Sequence, residues 1–286
     1  MSVEEWYESG EYFYSGNLKS FFKRAGEGPL LICIHGFPSS SWDFEPIWSN
    51  LIEHFDVITL DLIGLGKSAK PKRKLTVALQ ADMIESLLEK LNIEEAHILA
   101  HDLGDTVAQE LMARQYEGGN KVKWLTCAFL NGGIFPETHR PLITQKLLAS
   151  PLGQILVKTM SQHTLAKSFK NIFSQEHPPS DQYIEDTWQL IIQDNGRQMI
   201  PRLIKYMKER HVHRARWVRP LEENYIPICL INGIQDPISG AHAAIRFEEV
   251  VPNADVCRIE DAGHYPHVET PRKVMEAFLD FHGKLN

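Results

Sequence analysis

The stretch that decides the fold is HILAHDLGDTVA, residues 97–108. A short apolar run ends at Ala100, a tight turn follows, and apolar residues then recur at helical spacing. A strand, a sharp turn carrying a reactive side chain and a helix make up the nucleophile elbow, usually written G-x-S-x-G. Here the pattern reads Ala100-His101-Asp102-Leu103-Gly104, so a carboxylate takes the place of the serine.

The exchange of serine for aspartate changes the expected chemistry. A serine must lose a proton before it attacks, whereas an aspartate, with a reference pKa of about 3.9, is already ionised at neutral pH. A carboxylate attacks an electrophilic sp3 carbon and becomes an ester, which a histidine-activated water can hydrolyse. We therefore expect epoxides or alkyl halides as substrates. The alternative is that Asp102 is a surface residue that caps a helix.

Two later motifs supply the partners that an Asp102 nucleophile needs. Asp236 follows the apolar run 228–231, and His264 follows the run 254–259. The chain order of nucleophile, acid and histidine is that of a Ser-type elbow enzyme. We expect Asp236 to orient and charge-stabilise the His264 imidazole, which would be the general base for water. The weaker rivals are Asp255, Asp261 and His267.

A third motif, His35-Gly36-Phe37-Pro38, follows the apolar run 30–34. In an elbow enzyme, this loop lies beside the nucleophile and donates one backbone N–H to an oxyanion hole. The predicted donors are the N–H groups of Phe37 and Leu103, and His35 is a candidate pocket residue. His101, beside Asp102, is expected to be structural.

Apolar runs and helical patterns alternate along most of the chain, which predicts an α/β sandwich with a mostly parallel central sheet flanked by helices. Residues 11–25 are predicted to form an antiparallel hairpin. The predicted strands lie at 30–34, 57–60, 98–100, 125–130, 228–231 and 254–259, and the predicted core helices at 77–91 and 271–281.

The alternation stops between residues 135 and 220, where no strand pattern is found. Helices are predicted over 142–148, 180–192 and 201–210. We interpret this segment as a helical cap inserted into a core of residues 1–134 and 221–286. A basic cluster near its end is predicted to be a solvated face; it contains Lys205, Lys208, Arg210, Arg214, Arg216 and Arg219.

The composition of the chain restricts the partners and the cellular location that we expect. The 286 residues carry a net charge of −7, which disfavours nucleic acid as a partner. The acidic N-terminus does not resemble a secretory signal, no apolar run is long enough to span a membrane, and the four cysteines lie in apolar runs typical of reduced thiols. We expect a cytoplasmic protein without a metal or cofactor, acting on a small hydrophobic substrate and water; the oligomeric state stays open. Residues 61–68 lack the spacing of a phosphate-binding loop.

Together these motifs resemble the α/β-hydrolase superfamily, in its aspartate-nucleophile branch of epoxide hydrolases and haloalkane dehalogenases. The resemblance covers nearly the whole chain and implies a triad of Asp102, Asp236 and His264. Haloalkane dehalogenases hold the departing halide with a tryptophan after the nucleophile and often an asparagine after His-Gly. This chain has Leu103 and Phe37 at those positions, so both halide donors are missing.

Epoxide hydrolases use tyrosines of the cap to protonate the opening ring oxygen. Tyr206 matches the usual place of one of them, and Tyr183 is a candidate for the second on spacing alone. His139 and Trp188 are alternative donors. The favoured function is therefore an epoxide hydrolase-like activity. The alternatives are a dehalogenase with an atypical halide site and a non-catalytic binding protein of the same fold.

Overall fold

The computed structural model describes residues 1–285 and contains an eight-stranded sheet with the order β1-β2-β4-β3-β5-β6-β7-β8. The first two strands form the predicted hairpin and run antiparallel, and the remaining six are parallel to one another. The strands are β1 (Glu11–Ser15), β2 (Leu18–Ala25), β3 (Leu30–Ile34), β4 (Asp56–Leu60), β5 (Glu95–Ala100), β6 (Lys123–Phe129), β7 (Ile228–Gly233) and β8 (Asp255–Ile259).

Helices cover both faces of this sheet. They are α1 (Val3–Glu8), α2 (Glu45–Ile52), α3 (Val77–Lys90), α4 (Leu103–Tyr116), α5 (Ile143–Ala149), α6 (Gly153–Leu156), α7 (Gln162–Lys170), α8 (Asp181–Ile192), α9 (Ile200–Leu203), α10 (Tyr206–Glu222), α11 (Ala241–Val250), α12 (Pro266–Glu269) and α13 (Pro271–Gly283). Short 3-10 helices span Ser41–Phe44, Val157–Thr159 and Gln193–Met199. No helix within residues 1–285 has the length and apolar character that crossing a membrane would require.

Successive side chains of β3 point to opposite faces of the sheet, so this one strand contributes to two hydrophobic clusters. Leu31 and Cys33 point to a cluster shared with α2 and α13, whereas Ile32 and Ile34 point to a cluster shared with α3 and α4. A strand buried on both faces must be apolar at every position, which is why it reads as a continuous run. Each such side chain contributes about 1.5–3 kcal/mol when fully buried. The predicted α/β sandwich is confirmed.

The chain between β6 and β7 contains helices α5–α10 and, within the described residues, no strand. The prediction of one helix over residues 201–210 was wrong, because α9 ends at Leu203 and α10 begins at Tyr206. The expected boundary at residue 220 falls inside α10, which continues to Glu222 and packs against α4. The division into a core and a cap stays our interpretation of this arrangement.

The turn between β5 and α4 has the backbone of an elbow. Asp102 adopts φ 46° and ψ −101°, a left-handed conformation that L-residues accept only at a cost. Gly104 is required because a Cβ there would lie 2.1 Å from the carbonyl oxygen of Ile34. Ala100 replaces the first glycine of the motif without strain, since it ends β5 and does not take a positive φ.

We expect Gly104→Ala to lower the free energy of unfolding by about 2–3 kcal/mol, because the clash is with backbone of β3 and one element must move. Urea denaturation measures this change. Gly119→Ala is the matched control, since its Cβ would meet its nearest atom, the carbonyl oxygen of Arg114, at 3.8 Å. Equal unfolding midpoints for the two variants would contradict the proposed close approach.

Candidate active site

Asp102 lies at the carboxyl end of β5 and is only 4% exposed. Three groups contact its carboxylate. The backbone N–H of Phe37 donates to Oδ2 at 3.1 Å, the hydroxyl of Tyr206 donates to Oδ1 at 3.1 Å, and Nη2 of Arg210 lies 3.4 Å from Oδ1. The carboxylate is thus contacted by three donors from two segments of the chain, the loop after β3 and helix α10, and it does not cap α4 with its side chain.

His264 and Asp236 form a buried pair. The Nδ1 of His264 is 2.7 Å from Oδ2 of Asp236, and that carboxylate also accepts hydrogen bonds from the Ser239 hydroxyl at 2.6 Å and the Ile238 N–H at 2.8 Å. Burial alone would lower the pKa of His264, but the charge of Asp236 and its hydrogen bond prevail and raise that pKa to about 8. Burial likewise opposes ionisation of Asp236, yet the His264 charge lowers its pKa to about 2.

The rival residues lie elsewhere. Asp255 and Asp261 form surface ion pairs with Lys284 and Lys273. The ring of His267 packs against His101 at 4.7 Å between centroids, behind the elbow. The choice of Asp236 and His264 over these residues therefore agrees with the geometry.

The loop after β3 is held by His35. Its Nδ1 donates to the carbonyl of Gly36 at 2.7 Å and its Nε2 accepts from the N–H of Leu62 at 3.0 Å, so both ring nitrogens are used. Its expected role as a pocket residue is wrong, because the fully buried ring fixes the loop that aims the Phe37 N–H. Leu103, the other expected oxyanion donor, is the buried first residue of α4.

Arg210 is the functional candidate that the sequence analysis missed. Its side chain is 2% exposed, and Nε donates to Oγ1 of Thr106 at 2.6 Å while Nη2 donates to the carbonyl oxygen of Asp102 at 2.9 Å. Its guanidinium also lies over the Tyr206 ring, 4.5 Å from the centroid. The prediction that this arginine belongs to a solvated basic face was wrong. Its position four residues after Tyr206, on the same helical face, is the signal that could have found it.

Arg210 lies near two buried carboxyl groups, Asp102 and Asp105, whose pKa values shift in opposite directions. Burial raises the pKa of both Asp102 and Asp105, but the Arg210 and His264 charges lower the pKa of Asp102 below its ordinary value. The pKa of Asp105 is raised well above its ordinary value by burial and by the Asp102 charge. Two adjacent buried carboxylates repel each other, so the charge of Asp102 disfavours ionisation of Asp105.

A cavity of ≈ 230 Å³ reaches this site. Phe37 and His264 line its inner end, and mostly apolar side chains of α5, α7 and α9 form the rest of the wall, among them Leu148, Leu165 and Ile200. Such a mostly apolar lining, interrupted by a few polar side chains such as Thr144 and Ser168, favours a largely apolar substrate.

The remaining predicted residues do not contact the Asp102 carboxylate. The Tyr183 hydroxyl donates to Oδ1 of Asp43 at 2.8 Å and so joins α8 to the core. Trp188 is half-buried, with the Arg197 guanidinium 5.9 Å from its ring, and it is outside the cavity wall. His139 approaches Arg210 across Gly133; burial and the Arg210 charge lower its pKa to about 3. The expectation that Tyr183 and Trp188 line the pocket was wrong.

Among residues 1–285, one group has the spacing of metal ligands: Asp43, His101 and His267, whose candidate ligand atoms lie within 4.8 Å of one another. All three are buried, and burial lowers the pKa of both histidines, which favours the neutral imidazole that binds metal. The group lies behind the elbow and does not include the Asp102 carboxylate.

The family model for the alpha/beta hydrolase fold matches residues 29–271. The chain belongs to this family. The hydrolase is also 35% identical over 295 residues to the mesoderm-specific transcript protein of Mus musculus, covering 98% of this chain and 88% of that protein. The predicted fold class and family resemblance are thereby confirmed.

Solved structures show the same fold at low identity. The haloalkane dehalogenase DbeA of Bradyrhizobium elkani superposes on the hydrolase with a TM-score of 0.81 and 18% identity, covering 96% of this chain and 99% of that one. The epoxide hydrolase CorEH superposes with a TM-score of 0.75 and 20% identity, covering 97% and 99%. Both activities occur on this fold, so the choice between them depends on the site itself.

We expect Arg210→Met to raise the pKa of Asp102, because removing the cation leaves burial opposed only by weaker effects. The titration of the Asp102 carboxyl should therefore move to higher pH. Carbon NMR of aspartate side chains labelled at the carboxyl carbon, recorded over a pH series, measures this shift. Arg214→Met is the control in the same helix, since Arg214 pairs with Glu137 at the surface. An unshifted Asp102 titration in Arg210→Met would rule out this electrostatic role.

Proposed function

We propose that the hydrolase uses Asp102 as a nucleophile, forms an ester with its substrate and hydrolyses that ester, most favourably converting an epoxide to a diol. The observation that carries this proposal is the Asp102 carboxylate at the elbow, contacted by the Phe37 N–H and the Tyr206 hydroxyl. The His264–Asp236 pair, whose histidine lines the same cavity, supplies the base for the second step.

In the first step, an Asp102 oxygen attacks a ring carbon and the carbon–oxygen bond of the epoxide breaks. Tyr206 donates its proton to the ring oxygen, which yields a hydroxyalkyl ester. The pKa of Tyr206 is raised well above its ordinary value by burial and by the Asp102 charge, so a phenolate would be short-lived. A proton from His264, which is mostly protonated at neutral pH with its pKa of about 8, can restore the phenol.

Ester formation in the first step makes His264 a better base for the second step. Ester formation removes the negative charge of Asp102, which is one of the causes of the raised pKa of His264. The imidazole therefore becomes easier to keep neutral once the ester has formed, as a general base requires. His264 then takes a proton from water, and the resulting hydroxide attacks the ester carbonyl.

The oxyanion formed in this second step would be an oxygen of Asp102. The Phe37 N–H already donates to that carboxylate at 3.1 Å, so the donor is in place before charge develops. Collapse of the tetrahedral intermediate breaks the ester carbon–oxygen bond while His264 gives its proton to the departing diol oxygen. The Asp102 carboxylic acid left behind then passes its proton, the second proton of the water, to His264, which restores the carboxylate and the protonated imidazole. The sum of both steps is epoxide plus water to diol.

The side chains around Asp102 favour an epoxide over a halide. A leaving halide needs donors that face it, and Leu103 and Phe37 offer none from their side chains. An opening epoxide needs a proton, and Tyr206 holds a hydroxyl 3.1 Å from the carboxylate that attacks. The cavity wall is mostly apolar, in keeping with a hydrophobic epoxide.

Intact mass spectrometry of His264→Ala tests the proposal. Without its base, this variant should form the ester but not hydrolyse it when incubated with styrene oxide, a long-chain terminal epoxide and 1-bromobutane. An adduct equal in mass to the whole epoxide supports the proposal. His264→Ala combined with Asp102→Asn is the matched control and should remain unmodified.

Other masses in the same experiment discriminate the alternatives. An adduct in which a butyl group replaces one proton, with no epoxide adduct, would favour a dehalogenase. A modification that persists after Asp102→Asn would assign the nucleophile to another residue. The absence of any adduct, with a known epoxide hydrolase trapped in parallel, would favour a non-catalytic binding protein.

The two tyrosines provide a matched pair of variants. We expect Tyr206→Phe to lower kcat for epoxide by about 10²–10⁴-fold, because it removes the general acid. Tyr183→Phe should retain kcat within a few-fold and lower the free energy of unfolding by about 1–3 kcal/mol, since the buried Asp43 loses a donor. Steady-state kinetics and thermal unfolding measure both. The assignment of the acid fails if Tyr183→Phe loses more kcat than Tyr206→Phe.

A further inference from the structure

The surface formed by α5 and α6 carries large apolar side chains that face solvent. Ile143 is 76% exposed, Leu152 is 59% exposed and Ile155 is 64% exposed, and Leu147 between them is 48% exposed. Single exposed aliphatic residues are ordinary on a protein surface, but four within residues 143–155, on two helices that pack together, form a patch. We call residues 143–155 the α5–α6 surface.

The charge around the α5–α6 surface is opposite to that of the whole chain. Residues 138–175 contain five Lys or Arg and no Asp or Glu, whereas the chain has a net charge of −7. Four of these cations are exposed lysines that form no ion pair among residues 1–285; they are Lys146, Lys158, Lys167 and Lys170. A surface that combines exposed aliphatic residues with unpaired lysines is complementary to an apolar phase with anionic groups at its boundary.

The same surface adjoins the entrance of the active-site cavity. Leu147 and Thr144 line that cavity and are themselves exposed, so the α5 side of the wall lies at the protein surface. The opposite end of the cavity reaches His264 and Phe37. An apolar compound that leaves a lipid phase at α5 would meet an apolar wall along its path to Asp102.

We propose that the α5–α6 surface docks on an anionic lipid surface, so that the cavity opens toward the apolar phase. Ile143, Leu152 and Ile155 insert below the headgroups, while Lys146 and Lys158 contact the anionic groups. This inference concerns binding and does not depend on the chemistry proposed for Asp102. A symmetric contact between two copies through this same surface would bring lysines together without acidic partners, because residues 138–175 contain no Asp or Glu.

Vesicle cosedimentation tests the docking without any turnover. The full chain should bind vesicles of phosphatidylcholine mixed with phosphatidylserine more tightly than vesicles of phosphatidylcholine alone, and added salt should weaken the binding. The triple variant Ile143→Ser, Leu152→Ser, Ile155→Ser and the double variant Lys146→Glu, Lys158→Glu should each lower binding by about tenfold or more. Circular dichroism checks that both variants are folded.

The matched control variants carry the same kinds of substitution outside the α5–α6 surface. Val212→Ser with Ile245→Ser removes exposed aliphatic residues from α10 and α11, and Lys74→Glu with Lys90→Glu makes an equal change in net charge. Both controls should bind like the unaltered chain. The proposal is overturned if the unaltered chain does not bind, if the controls lose as much as the test variants, or if only the lysine variant loses binding. It is also overturned if the serine variant converts a dimer to a monomer in light scattering.

Discussion

The left-handed backbone at Asp102 is the constraint on which the site depends. An L-residue at φ 46° is strained, and the strain persists because the flanking elements leave no alternative path. Gly104 lets α4 approach the Ile34 carbonyl, and Gly132 leaves room for the Asp102 backbone, since a Cβ there would lie 2.9 Å from its Cα. The parallel strands β3, β5, β6 and β7 end at one edge of the sheet, so the loops that hold Phe37, Asn131 and Asp236 surround this turn.

A negative charge buried at that turn requires compensation. Burial raises the pKa of Asp102, as it raises that of Asp105 three residues later. The difference between them is that the Arg210 guanidinium contacts the Asp102 carboxylate at 3.4 Å, with His264 as a second cation. Under the mechanism that we propose, these cations lose their counter-charge when the carboxylate becomes an ester, which favours hydrolysis of the ester over its accumulation.

The sequence predicted the core of the fold because buried strands are apolar throughout and because glycines and turns follow them at regular places. It also predicted Asp102, Asp236 and His264, since each directly follows a strand and parallel strands end at one edge. Arg210 and Tyr183 were assigned the wrong roles from the sequence, a solvated cation and a second acid, for a different reason. Their partners, Asp102 and Asp43, lie more than a hundred residues away, and helical spacing alone cannot tell a buried arginine from the solvated ones beside it.

The helices between β6 and β7 contribute different parts of the candidate active site. Helix α10 packs on α4 and delivers Tyr206 and Arg210 to Asp102, so it belongs functionally with the core. Helices α5 and α7 supply a mostly apolar part of the wall and carry no group that contacts the Asp102 carboxylate. Substitutions on α5 and α7 can therefore change the size and shape of the cavity while the charges at Asp102 stay the same. Under the function that we propose, the side chains that shape the cavity and the side chains that act on the epoxide accordingly come from different helices.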